Sequence, residues 1–413
     1  MIRQRTASLS VLARRAAGPL VSLLLVAMAA GACAPKVAEA PPGSQAPVAG
    51  EPGSFPTFPT LPLPPLPGLA AESLGKARVA LLLPLSGHSA ELGKAMLRAA
   101  ELALFEAPSN RLLLLVHDTG DTPESAAAAA EAAIAQGASF ILGPLFAPQV
   151  AAAALPARTM GANMVSFSTD LSVAGQGVWV MGILPRLQVE RVVGYAASHG
   201  RTRVAALAPA TAYGDAVVDA LGAATTRYGI ATAAIQRYQP DETNLNPVVE
   251  GLGTDFDAVL LPEGGVRAQL LAPLLAYHEI DPTVVKLLGT ALWDDPALGQ
   301  EPTLVGGWFA APAPERWRAF RERYLALYGQ APPRIASIAY DATSLAAALA
   351  EGFEPGRFGA LALTQPNGFS GIDGIFRFMP DGSVERGLAV LEVGTDSARV
   401  IDPAPAGFAT MGF

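Results

Sequence analysis

The sequence predicts an α/β fold of two doubly wound, parallel-sheet lobes. Three observations carry that expectation. Short, nearly continuous apolar runs recur, and each is followed by a helical pattern. About 340 residues from Lys76 onward are patterned in this way, more than one core supports, since single cores stop growing near 250–300 residues. Strands alternating with helices imply parallel sheets with right-handed crossovers, and ligands at the carboxyl ends of the strands. The first series opens with Arg78-Val79-Ala80-Leu81-Leu82-Leu83, apolar without alternation as in a strand covered on both faces. Pro84-Leu85-Ser86-Gly87 breaks it, and 89–107 reads as a helix with Leu92, Met96, Ala99, Ala100 and Ala103 on one face. A strand at 112–116, a loop at 117–123 and an alanine-rich helix at 124–136 follow, alanine being the strongest helix former. A strand at 139–142, a helix at 147–160 and a strand at 163–167, ending in Ser168-Thr169-Asp170, complete the series.

The second series reads as helix 188–198, strand 204–207, helix 212–228, strand 230–236 and helix 246–253. Strand 258–261, helix 266–277 and strand 284–289 continue it. The chain returns through 308–311 into a long helix with Trp317, Phe320, Tyr324, Leu327 and Tyr328 at helical spacing, where core packing accounts for the aromatics. Helix 336–350 follows. Alternation around Asp381-Gly382 in 374–384 reads as a β-hairpin.

The first 75 residues are of another kind. Arg3, Arg5, Arg14 and Arg15 precede the apolar run 20–30, and the small residues Gly31-Ala32 stand before Cys33, the only cysteine. Cationic, apolar and small-residue segments in that order are those of a secretory signal. A thiol directly after the cut is the nucleophile a lipid transferase needs, so the site resembles a bacterial lipoprotein signal with Ala30 where Leu is more common. An ordinary cleaved signal and an uncleaved anchor are the alternatives, although the run is short of the roughly 17–25 residues of a span. Residues 34–75, rich in proline from Pro41-Pro42 to Pro64-Pro65-Leu66-Pro67, form an extended tether, because proline fixes φ and removes donors.

The formal charge is −8, and removing the four arginines of the leader takes it to −12. That balance argues against nucleic acid and anionic lipid as partners. A single cysteine allows no disulfide within the chain. Enzyme motifs fail. The Gly87–Gly93 spacing is one residue too long for a P-loop and Ala95 replaces its Ser/Thr, Gly175-Gln176-Gly177 lacks a third glycine, and His88 is not followed by the second glycine of a nucleophile elbow. His88, His117, His199 and His278 have no metal-ligand spacing. Neither catalysis, a cofactor nor a metal is expected.

Several stretches resemble, in order, the type I periplasmic binding proteins of the leucine/isoleucine/valine-binding branch. They are 79–87 with Leu92-Gly93 and 99–103, Asp118-Thr119, Tyr213-Gly214, Tyr340-Asp341-Ala342 and Phe369-Ser370-Gly371-Ile372-Asp373-Gly374 with Asp381-Gly382. The resemblance implies two lobes joined by a multi-strand hinge, lobe 1 at about 76–184 and 312–365 and lobe 2 at about 185–311 and 366–395. Residues 1–32 would be the signal, 33–75 the lipidated Cys33 and tether, and 396–413 a C-terminal tail. Within that family, Leu81-Leu82-Leu83-Pro84-Leu85-Ser86-Gly87 and Ile141-Leu142-Gly143-Pro144-Leu145 are similar to the penicillin-binding-protein activator lipoproteins, whose helical-repeat domain has no counterpart here.

Two functions follow from the resemblance. The leading one is a lipid-anchored periplasmic regulator that binds a peptidoglycan synthase (a penicillin-binding protein), held at the outer membrane since Ala34 rather than Asp follows the cysteine. The alternative is a solute-binding protein for an amino acid or similar small polar ligand, feeding an ABC transporter or a sensor. Family geometry would place Ser86, Ser168 and Thr169 of the first lobe, and Tyr213, Glu263 and Thr290 of the second, around such a ligand. Hydroxyls and helix N-termini suit a carboxylate, and Glu263 suits an ammonium group. Ser86, Ser168 and Thr169 also suit plain capping and turn roles, and Glu263 a solvated loop.

Overall fold

A computed structural model describes residues 75–408, apart from 109 and 353–355, and all of these lie in one compact unit of the chain. The expected leader, Cys33 and the tether as far as 74 fall outside the described residues.

The first sheet has the order β2-β1-β3-β4-β5 and is parallel throughout. Its strands are β1 (Ala77–Leu83), β2 (Leu112–Asp118), β3 (Phe140–Leu142), β4 (Asn163–Ser166) and β5 (Val178–Val180). The helices α1 (Ala90–Glu106), α2 (Pro123–Ala135) and α3 (Ala147–Thr159) connect the first four. The unbroken apolar run of β1 is explained by its two covered faces. Val79, Leu81 and Leu83 pack with Met96 and Ala100, while Ala80 and Leu82 pack with Ala130 of α2 and Ala153 of α3. Close packing at the first turn needs a glycine: a Cβ on Gly93 of α1 would stand 1.9 Å from the Pro84 carbonyl oxygen.

The second sheet has the order β15-β14-β10-β9-β8-β6-β7. The strands β6 (Arg203–Pro209), β7 (Ala231–Tyr238), β8 (Ala258–Leu260), β9 (Lys286–Gly289) and β10 (Trp308–Ala311) are parallel. On one face, α4 (Pro185–Ser198) and α5 (Ala212–Tyr228) bury Val192, Val193, Val217 and Leu221 against Ala206 and Leu260. On the other, α6 (Asn246–Glu250) and α7 (Gly265–Tyr277) bring Val249, Leu271 and Leu275 against Leu207 and Val259. Gly214 repeats the device of Gly93, since its Cβ would lie 1.9 Å from the Pro209 carbonyl oxygen.

From β10 the chain returns to the first lobe. There α8 (Pro314–Tyr328) packs Phe320 and Tyr324 against Ala99 and Leu102, and α9 (Ala336–Ala350) lies along α1. After the short α10 (Ala360–Leu363), β11 (Phe369–Gly371), β12 (Gly374–Phe378) and β13 (Val384–Arg386) form a small antiparallel sheet containing the expected hairpin.

Two boundaries differ from the sequence expectation. Residues 366–386 belong with the first lobe rather than the second: Phe376, Phe378 and Val384 fill its core, and Trp179 Nε1 of β5 donates to the Met379 carbonyl at 3.1 Å. The second lobe takes only β14 (Ala389–Glu392) and β15 (Arg399–Asp402). Within the expected tail, β15 pairs antiparallel with β14, Val400 packs on the second core, and Arg191 of α4 donates to Asp402 at 2.8 Å. The chain therefore passes between lobes after β5, after β10 and after β13.

Candidate functional site

Parallel sheets bind ligands at their carboxyl edges, where helix N-termini and strand ends leave polar groups free. On the first lobe, little is free. Asp118, the last residue of β2, accepts from the backbone N–H groups of Leu85 (2.8 Å), Ser86 (3.2 Å) and Gly120 (2.8 Å). Burial pushes its carboxyl up, and the Ser86 hydroxyl together with these N–H groups outweighs that, leaving it below the ordinary range. Ser86 is thus occupied in tying two loops together. The Ser168 hydroxyl, after β4, accepts from Asp170 N–H at 3.0 Å, and its carbonyl accepts from Gly182 N–H at 3.2 Å. Thr169 beside it is exposed. At the start of α3, Phe146 supplies no side-chain cap and Pro148 removes a donor from the first turn. Phe146 itself is 40% exposed.

The second lobe differs. In the first turn of α5, Thr211 caps the helix by accepting from Gly214 N–H at 3.2 Å, which fixes Tyr213 between them. The Tyr213 hydroxyl meets Thr290, just after β9, at 2.9 Å. Burial foremost, with the Glu263 charge adding to it, pushes the Tyr213 hydroxyl up to about 12, so it stays a donor. Glu263 follows β8. Its carboxylate accepts from the Tyr238 hydroxyl at the end of β7, and its carbonyl accepts from Trp293 Nε1 at 2.8 Å. Burial and then Glu263 raise Tyr238 well above the ordinary tyrosine range. Glu263 is half-buried and, among the described residues, has no Lys, Arg or His in ion-pair contact.

The edge of the second sheet is turned toward the first lobe. Asp294, four residues beyond Thr290, accepts from Arg334 Nε at 3.3 Å. Arg334 precedes α9, and its Nη1 donates to Asp373 at 2.6 Å, while the Ser337 hydroxyl donates to the other oxygen of that carboxylate at 2.7 Å. Asp341 lies behind, accepting from Ile372 N–H at 2.7 Å and Asp373 N–H at 3.3 Å. Burial first, and the Asp373 carboxylate second, push its carboxyl up to about 7.

Of the six ligand residues expected, the structure groups Tyr213, Glu263 and Thr290. Ser86 lies on one loop and Ser168 with Thr169 on another, the two serines engaged locally. Sequence reasoning missed Tyr238, Asp294 and Arg334. Tyr238 ends a strand with ordinary β composition, and only its place opposite Glu263 reveals it. No cluster of three or more His, Cys, Asp or Glu fit to hold a metal occurs among the described residues.

The sequence profile of the periplasmic binding proteins matches residues 76–398. The chain belongs to the periplasmic binding protein family. No curated protein matches it. Solved periplasmic binding proteins share its fold at low identity. A candidate branched-chain amino acid ABC transporter protein from Rhodospirillum rubrum is 22% identical with a TM-score of 0.70, over 79% of this chain and 100% of the other. An ABC transporter substrate-binding protein from Sphaerobacter thermophilus is 18% identical with a TM-score of 0.67, over 80% and 98%. A branched-chain amino acid transporter substrate-binding protein from Streptococcus pneumoniae, solved with isoleucine, is 19% identical with a TM-score of 0.58, over 79% and 100%. No helix among the described residues is long and apolar enough to cross a membrane.

Proposed function

We propose that this periplasmic binding protein is a solute receptor for a small polar ligand bearing an ammonium group, such as an amino acid, held between the lobes and passed to an ABC transporter. One observation carries the reading: Glu263 is a half-buried carboxylate with no cation in contact, oriented by Tyr238 and lying close enough to Tyr213 for its charge to act there. A half-buried carboxylate already oriented by a hydroxyl is a ready acceptor for a ligand ammonium, which would add a charge-assisted hydrogen bond. Tyr213 and Thr290 add hydroxyls for the rest of the ligand. The neighbour solved with isoleucine supports the ligand class. The leader and Cys33 support export and lipid anchoring, and Ala34 an outer-membrane address.

The test is a thermal-shift and calorimetric titration of the full chain, refolded from denaturant to remove carried ligand, against amino acids and short peptides. Ligand at 1,000 times its Kd adds about 4 kcal/mol of stability. Glu263→Gln is expected to weaken the responding ligand by roughly ten- to a hundredfold, the worth of a charge-assisted hydrogen bond of about 1.5–3 kcal/mol. A flat panel with well-folded protein overturns the reading.

A second reading, regulation of a peptidoglycan synthase, is favoured by Phe146. Its exposed ring stands at the start of α3, where an amino-acid carboxylate would want hydroxyl donors. Binding of a purified synthase to the full chain, set against a flat ligand panel, would move the assignment there.

A further inference from the structure

A cavity of about 680 Å³ lies away from this edge, beside two of the three passages between lobes. None of Tyr213, Glu263, Thr290, Ser168 or Thr169 lines it. One wall is the first turn of α4, with Arg186 and Leu187, just after the first passage. The other is the end of β13, Glu385 and Arg386, with Leu388 just after the third, and Asp402 to Pro405 close it beyond β15.

The charges of this cavity do not cancel. Its three carboxylates are each engaged by a guanidinium: Glu190 by Arg227 at 2.6 Å, Asp402 by Arg191 at 2.8 Å and Glu385 by Arg377 at 2.5 Å. Two arginines remain, of which Arg386 also meets the Asp373 and Asp341 carboxylates through space. Arg186 makes no hydrogen bond or ion pair among the described residues, and its charge reaches Asp381 only through space. Arg386 is 3% exposed, gives Nη1 and Nη2 to the carbonyls of Asp373 (3.3 Å) and Met181 (3.0 Å), and keeps a buried Nε without a partner. Arg186, half-buried on the cavity wall, is the lining guanidinium left without an acceptor, and an anion in the cavity would supply one. Leu187, Leu388, Pro403 and Pro405 supply apolar surface around these donors. Apolar walls with a few convergent polar groups, in a volume of roughly 300–1,000 Å³, describe a small-molecule site.

We infer that this cavity is a second ligand site, selective for an amphipathic carboxylate: the carboxylate is held by Arg186 with Arg386 behind it, and the apolar part lies against Leu187, Leu388 and the prolines. Such a ligand needs no ammonium group, which separates it chemically from the one proposed for Glu263.

The probes are N-acetyl-L-leucine, whose ammonium is blocked, and N-acetyl-L-leucinamide, which has the same apolar part without the charge. Each is titrated into the full chain by calorimetry, with circular dichroism confirming that every variant is folded. The acid is expected to bind at one site at least tenfold more tightly than the amide. Arg186→Glu is expected to weaken the acid at least tenfold, and Arg186→Gln to weaken it less. Glu263→Gln is expected to leave it unchanged. No saturable binding of the acid at millimolar concentration overturns the inference, as does equal binding of the amide or indifference to Arg186→Glu. Loss with Glu263→Gln alone would place the acid at the Glu263 edge, and also overturns it.

Discussion

The two lobes are built alike and end differently. Each begins with a strand that stops at proline and a helix whose glycine lies against that proline's carbonyl, Gly93 on Pro84 and Gly214 on Pro209. At the carboxyl edge the likeness ends. The first lobe spends its hydroxyls on itself, Ser86 on Asp118 and Ser168 on Asp170 N–H. The second gathers Tyr213, Thr290, Tyr238 and Glu263 and leaves a carboxylate without a counter-ion. Shared topology therefore fixes where a site can be, and the few residues after each strand decide which lobe carries its chemistry.

The contact that joins the edges gives the largest expected effect. Arg334→Met leaves Asp373, whose side chain is 0% exposed, without its guanidinium partner, and also cuts the link to Asp294. Breaking a buried pair costs about 3–5 kcal/mol. Arg334 is 28% exposed, so the low end, about 3 kcal/mol, is expected as a fall in urea midpoint. An unchanged midpoint would mean that the lobes are held together elsewhere.

Asp341, behind that contact, sharpens the comparison through pH. Folded, its carboxyl is pushed up to about 7 by burial and then by Asp373; unfolded, it titrates near about 4. Between those values the folded state holds a proton that the unfolded chain has released, so this group's stabilising share, full below pH 4, is lost as pH rises toward 7. Asp341→Asn removes that dependence. Its stability relative to the unsubstituted protein should therefore climb across the window and level off beyond it. A flat difference in urea titrations across that pH range would show that Asp341 stays ionised when folded.

Tyr213→Phe tests the second edge itself. It leaves the buried Thr290 hydroxyl without Tyr213, a loss of about 1–1.5 kcal/mol, and ligand affinity should fall about five- to tenfold. Ser168→Ala tests the first. It removes one local hydrogen bond, worth about 1 kcal/mol or less, and should lower the melting temperature slightly while leaving affinity unchanged. If Ser168→Ala costs as much affinity as Tyr213→Phe, the asymmetry between the edges is false.

The strands and the alternation of the fold are legible because burial on both faces demands unbroken apolar text, as at Val79 to Leu83 and Val204 to Leu207. The hairpin is legible too, from Asp381-Gly382. Its allegiance is not: Phe376 and Phe378 are apolar for either lobe, and only long-range packing assigns them to the first. At the edge, Tyr213 could be picked out by resemblance to family text, and Glu263 by its charge on a loop after a strand that family geometry turns to the cleft. Tyr238 stands 25 residues from Glu263, and Arg334 40 from Asp294, with no local pattern linking either pair. Ser86 and Ser168 look the same in sequence whether they cap a turn or hold a ligand.

The three passages between lobes also set a timetable. Because Trp179 meets the hairpin 200 residues later in the chain, β1 to β5 leave the ribosome long before α9 and the hairpin that cover one face of their sheet. At about 5–20 residues per second, the face that α1 begins to cover through Met96 and Ala100 waits on the order of ten to forty seconds after Trp179 for the hairpin that completes it. Throughout that interval the nascent first lobe is a half-clad sheet, the form in which a chaperone would find it.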